Sequence, residues 1–149
     1  MRLFIDTNVV LDHALFRTTG QPYEAKYILS WADQQRIPMF VSTGSFYTFT
    51  YLMEKNGIRQ KELADRLLSY LHAFQIAEHD KTSLATALAD NFRDIEDSFQ
   101  YQCALKSGWD FLITNNLRDY RLRDNDKLTI QSPLHFLTNT LQKQKGIDF

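Results

Sequence analysis

Three aspartates follow or open segments that a folded α/β chain would place close together. Asp6 comes directly after a short apolar run, Asp119 follows another apolar run, and Asp97 lies in the acidic opening of a segment with helical periodicity. Carboxylates held close together repel one another. Divalent cations such as Mg²⁺ or Mn²⁺ relieve that repulsion, because they bind oxygen ligands. An ion held there can activate water for attack on a phosphodiester and stabilise the departing oxygen.

The elements that must position these carboxylates alternate between strands and helices. Strands are predicted over 2–5, 38–42, 74–78, 110–114 and 127–132. Helices are predicted over 21–36, 45–55, 58–74, 80–90, 94–108 and 133–144, with Asp80 and Asp94 as N-caps and Gly108 as a C-cap. This alternation predicts an α/β fold, a three-layer α/β/α sandwich with a central, mainly parallel sheet.

In such a sheet the working crevice lies outside the carboxyl ends of the strands. Asp6 ends the first strand, the segment from Ser42 follows the second, and the segment from Thr114 to Asp119 follows the strand over 110–114. The helix that contains Asp97 must begin near the same edge in order to descend beside the sheet. We therefore expect these groups to converge on one site.

Composition and charge limit the kinds of protein that this chain can be. Its 149 residues fit one domain, 1–149, with a single core. A formal net charge of -1 excludes a surface built entirely for polyanions, so any nucleic-acid site must be local. Cys103 is the only cysteine, and no uncharged stretch is long enough to span a bilayer. We expect a cytoplasmic protein with no membrane association.

Three separated blocks of the sequence resemble PIN-domain proteins. They are "FIDTNVVLD", "DIEDSFQYQCALKSGWDFLITNNLRDY" and "SPLHFL", and they occur in the order typical of that family. The family comprises metal-dependent ribonucleases and includes the toxins of VapBC-type toxin–antitoxin pairs. The resemblance implies that Asp6 and Asp97 are metal ligands. It places Asn116 where the family often has a further acid, with Asp119 just beyond it.

The resemblance implies a metal-dependent endonuclease of single-stranded RNA that uses Mg²⁺ or Mn²⁺. It further implies a homodimer and, if the chain is a toxin, an antitoxin protein as partner. Arg118 and Arg121 are candidates for contact with substrate phosphates, although a charged loop is often only solvated. Supporting roles around the ion or the substrate fall to Thr7, Asn8, Ser42, Thr48, Asp94, Glu96 and Thr114.

One position departs from the family pattern. Members with full activity usually carry a glutamate six residues beyond the serine that ends the second strand, and this chain has Thr48 there. Replacing a carboxylate with a hydroxyl removes a charge and a strong ligand. With Asn116 at the other position, two of four usual carboxylates are missing, although Asp119, Asp94 or Glu96 could compensate. The alternative function is therefore a weakened or inactive PIN-like module that binds RNA or a partner protein.

Simpler interpretations compete for the same residues. Asp6 or Asp97 could serve only to begin a helix, because a carboxylate stabilises a helix N-terminus. A phosphotransfer domain would also place an aspartate at the end of its first strand, but the further acids of such domains are missing. The aromatic side chains between positions 46 and 51 could stack on RNA bases. Packing in the core or at a dimer interface is the expectation that we adopt for them.

Overall fold

The structure is a computed structural model that describes residues 1–120 and 127–149. Within these residues the chain forms five strands and eight helices, and the last helix continues as a π-helical turn over Phe136–Thr140. The strands are β1 (Leu3–Ile5), β2 (Met39–Ser42), β3 (Phe74–Ala77), β4 (Phe111–Ile113) and β5 (Thr129–Gln131). The helices are α1 (Thr7–Leu15), α2 (Pro22–Gln34), α3 (Thr43–Lys55), α4 (Gln60–Ala73), α5 (Lys81–Ala89), α6 (Ile95–Ser107), α7 (Leu117–Tyr120) and α8 (Pro133–His135).

All five strands pair in parallel, in the order β3-β2-β1-β4-β5. The chain builds outward from β1 to β2 and β3, and then returns to add β4 and β5 on the other side of β1. The strand order therefore reverses between β1 and β4. A topological switch point of this kind opens a crevice at the carboxyl ends of the two strands.

Side chains of alternate strand residues enter two separate cores, one on each face of the sheet. Leu3 and Ile5 pack in the larger core with residues of α1, α2, α3 and the closing helix. Phe4 points to the opposite face and packs with Tyr101 and Ala104 of α6. This period-two division follows from the pleat of a strand. The three-layer α/β/α sandwich with a parallel central sheet is confirmed.

Two helices are not among those predicted from the sequence, although a helix that begins at Asp6 was one of the competing interpretations. Helix α1 begins directly after β1 and buries Val9 and Val10 completely. Both residues are β-branched and favour strands, but the Asp6 cap and burial in the larger core outweigh that preference. Helix α7 is a single turn, too short for hydrophobic periodicity to reveal. The closing helix is shorter than expected, because helical structure ends at Thr140 rather than at position 144.

Two of the aromatic side chains of α3 pack in the core, and packing of the other two at a dimer interface stays a prediction. Phe49 is fully buried and Phe46 packs against the same core. Tyr47 and Tyr51 are 72% and 61% exposed, so they do not pack in the core of this chain. In the part of the chain that the structure describes, no helix has the length and apolar character needed to cross a membrane.

Candidate functional site

Asp6 lies at the carboxyl end of β1 and is 2% exposed. It is the N-cap of α1, with its Oδ1 accepting a hydrogen bond from the Thr7 amide at 2.7 Å. Its Oδ2 accepts from the Thr114 hydroxyl at 2.7 Å and from the Asn8 side-chain amide at 2.9 Å. Capping and site interpretations of Asp6 therefore do not exclude each other, because one carboxylate caps the helix and faces the end of β4.

The segment after β4 connects Asp6 to the other two carboxylates. Thr114 also accepts a hydrogen bond from the Asn116 amide at 3.0 Å. The side-chain amide of Asn116 then donates to both Asp97 and Asp119, the latter at 2.7 Å. A single hydrogen-bonded network thus contains the three aspartates that the sequence predicted to converge.

Burial and mutual repulsion change the proton affinity of these carboxyls. Burial is the largest cause that raises the pKa of Asp97, to about 7, and the nearby charge of Asp6 is the next. Asp94 and Asp119 add to the repulsion, and the hydrogen bond from Asn116 opposes it. The pKa of Asp6 is also raised by burial, against the hydrogen bonds that it accepts. The site is therefore short of positive charge.

A buried glutamine that the sequence reasoning missed joins Asp6 to the end of β2. The Gln100 amide nitrogen of α6 donates to the Thr7 hydroxyl at 3.0 Å and, more weakly, to Asp6 at 3.4 Å. Its carbonyl oxygen accepts from the Ser42 hydroxyl at 2.6 Å. Thr7 also shares a hydrogen bond of 2.7 Å with Ser45. A polar residue three positions after Asp97, on the helix face toward the sheet, is the one signal that the sequence offered.

Another buried carboxylate, Asp12, fixes the loop beside the site. It is fully buried and accepts hydrogen bonds from Arg17 at 2.8 Å, from the Gln21 amide at 2.7 Å and from the Asn115 side chain. The Asn115 backbone amide in turn donates to Asn8 at 3.0 Å. This carboxylate is neutralised by its own arginine and serves to position the loop. The sequence reasoning assigned it no role.

Thr48 and Glu96 line a cavity of about 410 Å³ that opens beside Asp6. Ser42 and Gln100 form part of the same wall. These two side chains are hydrogen-bonded to each other, and Gln100 also bonds to Asp6. The side chain of Asp94 caps α6 through the Glu96 amide at 2.9 Å, so Asp94 is confirmed as a helix cap. Glu96 is exposed, and its charge contributes to raising the pKa of Asp6.

Other predicted site residues are less closely connected. Arg118 is exposed at the start of α7, and Arg121 lies outside the described residues. Tyr120, which the sequence reasoning did not single out, is buried and donates from its hydroxyl to the Asp97 carbonyl at 3.1 Å. Burial raises its pKa well above the usual value. In residues 1–120 and 127–149, no three His, Cys, Asp or Glu side chains are grouped so that they could hold a metal ion.

A parallel sheet with a buried acidic network at its switch point places this chain in the class of α/β domains with a strand-end polar site. A family model described as "PIN domain" matches residues 2–118. The chain belongs to the PIN domain family, whose members are generally nucleases. A comparison with curated protein sequences gave no match.

Three solved structures share the fold. A chain of FitAB bound to an IR36 DNA fragment is 17% identical with a TM-score of 0.64, and the alignment covers 89% of this chain and 96% of that one. A chain of a toxin–antitoxin complex from Klebsiella pneumoniae is 22% identical with a TM-score of 0.60, and the alignment covers 89% of this chain and 98% of that one. A chain of VapBC2 from Rickettsia felis, bound to a DNA fragment from its promoter, is 13% identical with a TM-score of 0.61, and the alignment covers 89% of this chain and 98% of that one. At these identities the likeness shows the fold.

Proposed function

We propose that this protein is a metal-dependent endonuclease of single-stranded RNA. The observation that carries the proposal is the network of Asp6, Asp97 and Asp119 at the switch point, in which mutual repulsion contributes to raising the pKa of Asp97 to about 7. Carboxylates held in this way lower their energy when a divalent cation binds among them. Membership of a family whose members are generally nucleases supports the same assignment.

The donor chemistry of the site fits Mg²⁺ or Mn²⁺, because every candidate ligand offers oxygen. Asp6 and Asp97 would hold the ion, and Asp119 and Asn116 would complete its shell. The ion would supply an activated water and stabilise the departing oxygen of the phosphodiester. Thr114 and Asn8 orient the Asp6 carboxylate through the hydrogen bonds that they donate to it. Ser42, Thr7 and Gln100 hold the neighbouring backbone segments in register.

The biological role that we propose is that of a toxin controlled by an antitoxin protein. The likeness to chains from the FitAB, VapBC2 and Klebsiella complexes supports this role at the level of the fold. A homodimer in the cytoplasm, with Arg118 and Arg121 contacting substrate phosphates, completes the proposal. The partner would be encoded next to this chain, so a small DNA-binding protein in the neighbouring reading frame is its first test.

The direct test combines calorimetry with cleavage. Binding of Mn²⁺ and Mg²⁺ is measured on the wild type and on Asp6→Asn and Asp97→Asn, and cleavage of a labelled single-stranded RNA is followed in the same buffers. We expect both variants to lose binding and cleavage together. Asp33→Asn, which alters an exposed aspartate of α2, is the matched control and should leave both unchanged. Circular dichroism verifies that each variant is folded.

A second candidate function is a non-catalytic PIN module that binds RNA or a partner protein. Thr48 and Asn116 stand where acids are expected, and the described residues contain no group of three potential ligands placed to hold a metal ion. A folded wild type that binds neither cation and cleaves no RNA would favour this candidate and contradict the first.

A further inference from the structure

The cavity beside Asp6 has the features of a site for a flat, neutral ring. Its volume of about 410 Å³ lies within the range of roughly 300–1,000 Å³ typical of small-ligand sites. The rings of His79 and Phe99 form part of its wall and pack edge to face, with centroids 6.2 Å apart. Leu84 and Ile95 also line it and remain 37% and 53% exposed. Apolar and aromatic surface of this kind favours a stacked base.

A carboxylate in the cavity wall can read the edge of such a ring. Glu96 presents a carboxylate, which when ionised only accepts hydrogen bonds. A negative charge at this wall repels phosphate, so a nucleotide would enter the cavity with its base and not with its phosphate.

We propose that this cavity binds a guanine base of the RNA substrate, with Glu96 accepting from its Watson–Crick edge. Guanine is the base that offers two adjacent N–H groups, N1–H and the 2-amino group, to a single carboxylate. The identity of the polymer rests on the proposed function, because the cavity adjoins Asp6 through Ser42 and Gln100. Thr48 contributes to the space, since a glutamate at that position would project a longer, charged side chain into the same cavity.

The test measures base preference without metal or cleavage. The isotope-labelled wild type in EDTA is titrated with GMP, IMP, AMP, CMP and UMP, and binding is followed by amide chemical shifts. All five carry the same phosphate, so differences in affinity report the base. IMP lacks the 2-amino group of GMP. We expect GMP to bind at least about tenfold more tightly than IMP, the loss typical of one hydrogen bond to a charged group, with shifts at Ser45, Glu96 and Phe99.

Variants locate the preference. Glu96→Gln should reduce the difference between GMP and IMP to about threefold, because a hydrogen bond to a neutral acceptor is roughly half as strong as one to a carboxylate. Glu78→Gln alters an exposed glutamate outside the cavity wall and should retain the full difference. Equal affinity of the wild type for all five nucleotides, or shifts confined to other surfaces, would overturn the proposal.

A second titration separates RNA from free nucleotide. A short single-stranded RNA with one guanine should bind more tightly than GMP and lose affinity when that guanine is replaced by hypoxanthine. Binding of GMP with no affinity for the RNA would overturn the assignment to a substrate base. A protein that binds the guanine-containing RNA in EDTA but never cleaves it with Mn²⁺ would refute the nuclease proposal and leave the base site standing.

Discussion

Replacing Gln100 with leucine should destabilise the protein through the polar groups that it leaves buried. Gln100 is 2% exposed, and its amide satisfies the hydroxyls of Ser42 and Thr7 at 2.6 Å and 3.0 Å. A buried polar group that loses its partner costs about 1–3 kcal/mol. The bond to Asp6 at 3.4 Å is long and contributes little.

Two effects reduce the expected cost of this substitution. Thr7 retains its hydrogen bond to Ser45, so its hydroxyl keeps one partner. Leucine is also apolar and close to glutamine in size, so it creates only a small cavity. We therefore expect the free energy of unfolding of Gln100→Leu to fall by about 1–3 kcal/mol relative to the wild type.

The assay is urea denaturation of the metal-free protein at pH 7. The slope m of the free energy of unfolding against urea concentration must be the same in the variant and the wild type. Gln102→Leu is the matched control on the same helix, because Gln102 is half-buried and donates a long hydrogen bond of 3.3 Å to Asp90. It should cost less than about 1 kcal/mol. If the two variants lose the same stability, the reasoning that assigns Gln100 a bridging role is refuted. A double-mutant cycle with Ser42→Ala should give a coupling energy above about 0.5 kcal/mol.

Three further predictions concern the pH dependence of stability, the loop that contains Gly20, and Thr48. The folded state of the metal-free protein retains the Asp97 proton up to a pH of about 7, whereas the unfolded chain loses it near 3.8, so stability should fall as pH rises through this window. Asp97→Asn should weaken this dependence of stability on pH and raise the free energy of unfolding at pH 7.5 by about 1–2 kcal/mol. The gain is smaller than the roughly 4 kcal/mol that the whole pKa shift of Asp97 represents, because solvent screens the charge. Urea denaturation at pH 5 and at pH 7.5 measures both quantities. A methyl group at Gly20 would lie 2.0 Å from Oδ2 of Asp12, so Gly20→Ala should cost about 1–3 kcal/mol in the same assay, and an unchanged midpoint would contradict the loop geometry. Thr48→Glu should strengthen Mn²⁺ binding by about tenfold in calorimetry, because it adds a charged oxygen ligand beside the site, and equal or weaker binding would argue against a metal at this place.

Local patterns in the sequence predicted most of the fold, because helix caps and strand-length apolar runs depend on residues that are close together in the chain. Asp80 and Asp94 cap helices as expected, and Gly108 ends α6 in the left-handed conformation that glycine adopts most readily. The apolar runs form the five strands, since short runs of buried residues between helices leave few other arrangements. Helix α1 was not predicted, because the preference of Val9 and Val10 for strands hides a helix that packing stabilises.

The convergence of carboxylates was also accessible from the sequence, since strand ends of a parallel sheet meet at one edge. The sequence by itself determined the element types, the approximate edge on which the acids lie and the likeness to the PIN family. Only the tertiary structure decided that Gln100 bridges Asp6 to Ser42, that Asn116 donates to two aspartates, and that Thr48 lines a cavity. These contacts join residues far apart in the chain, and their geometry depends on the packing of helices against the sheet, which local propensity does not encode.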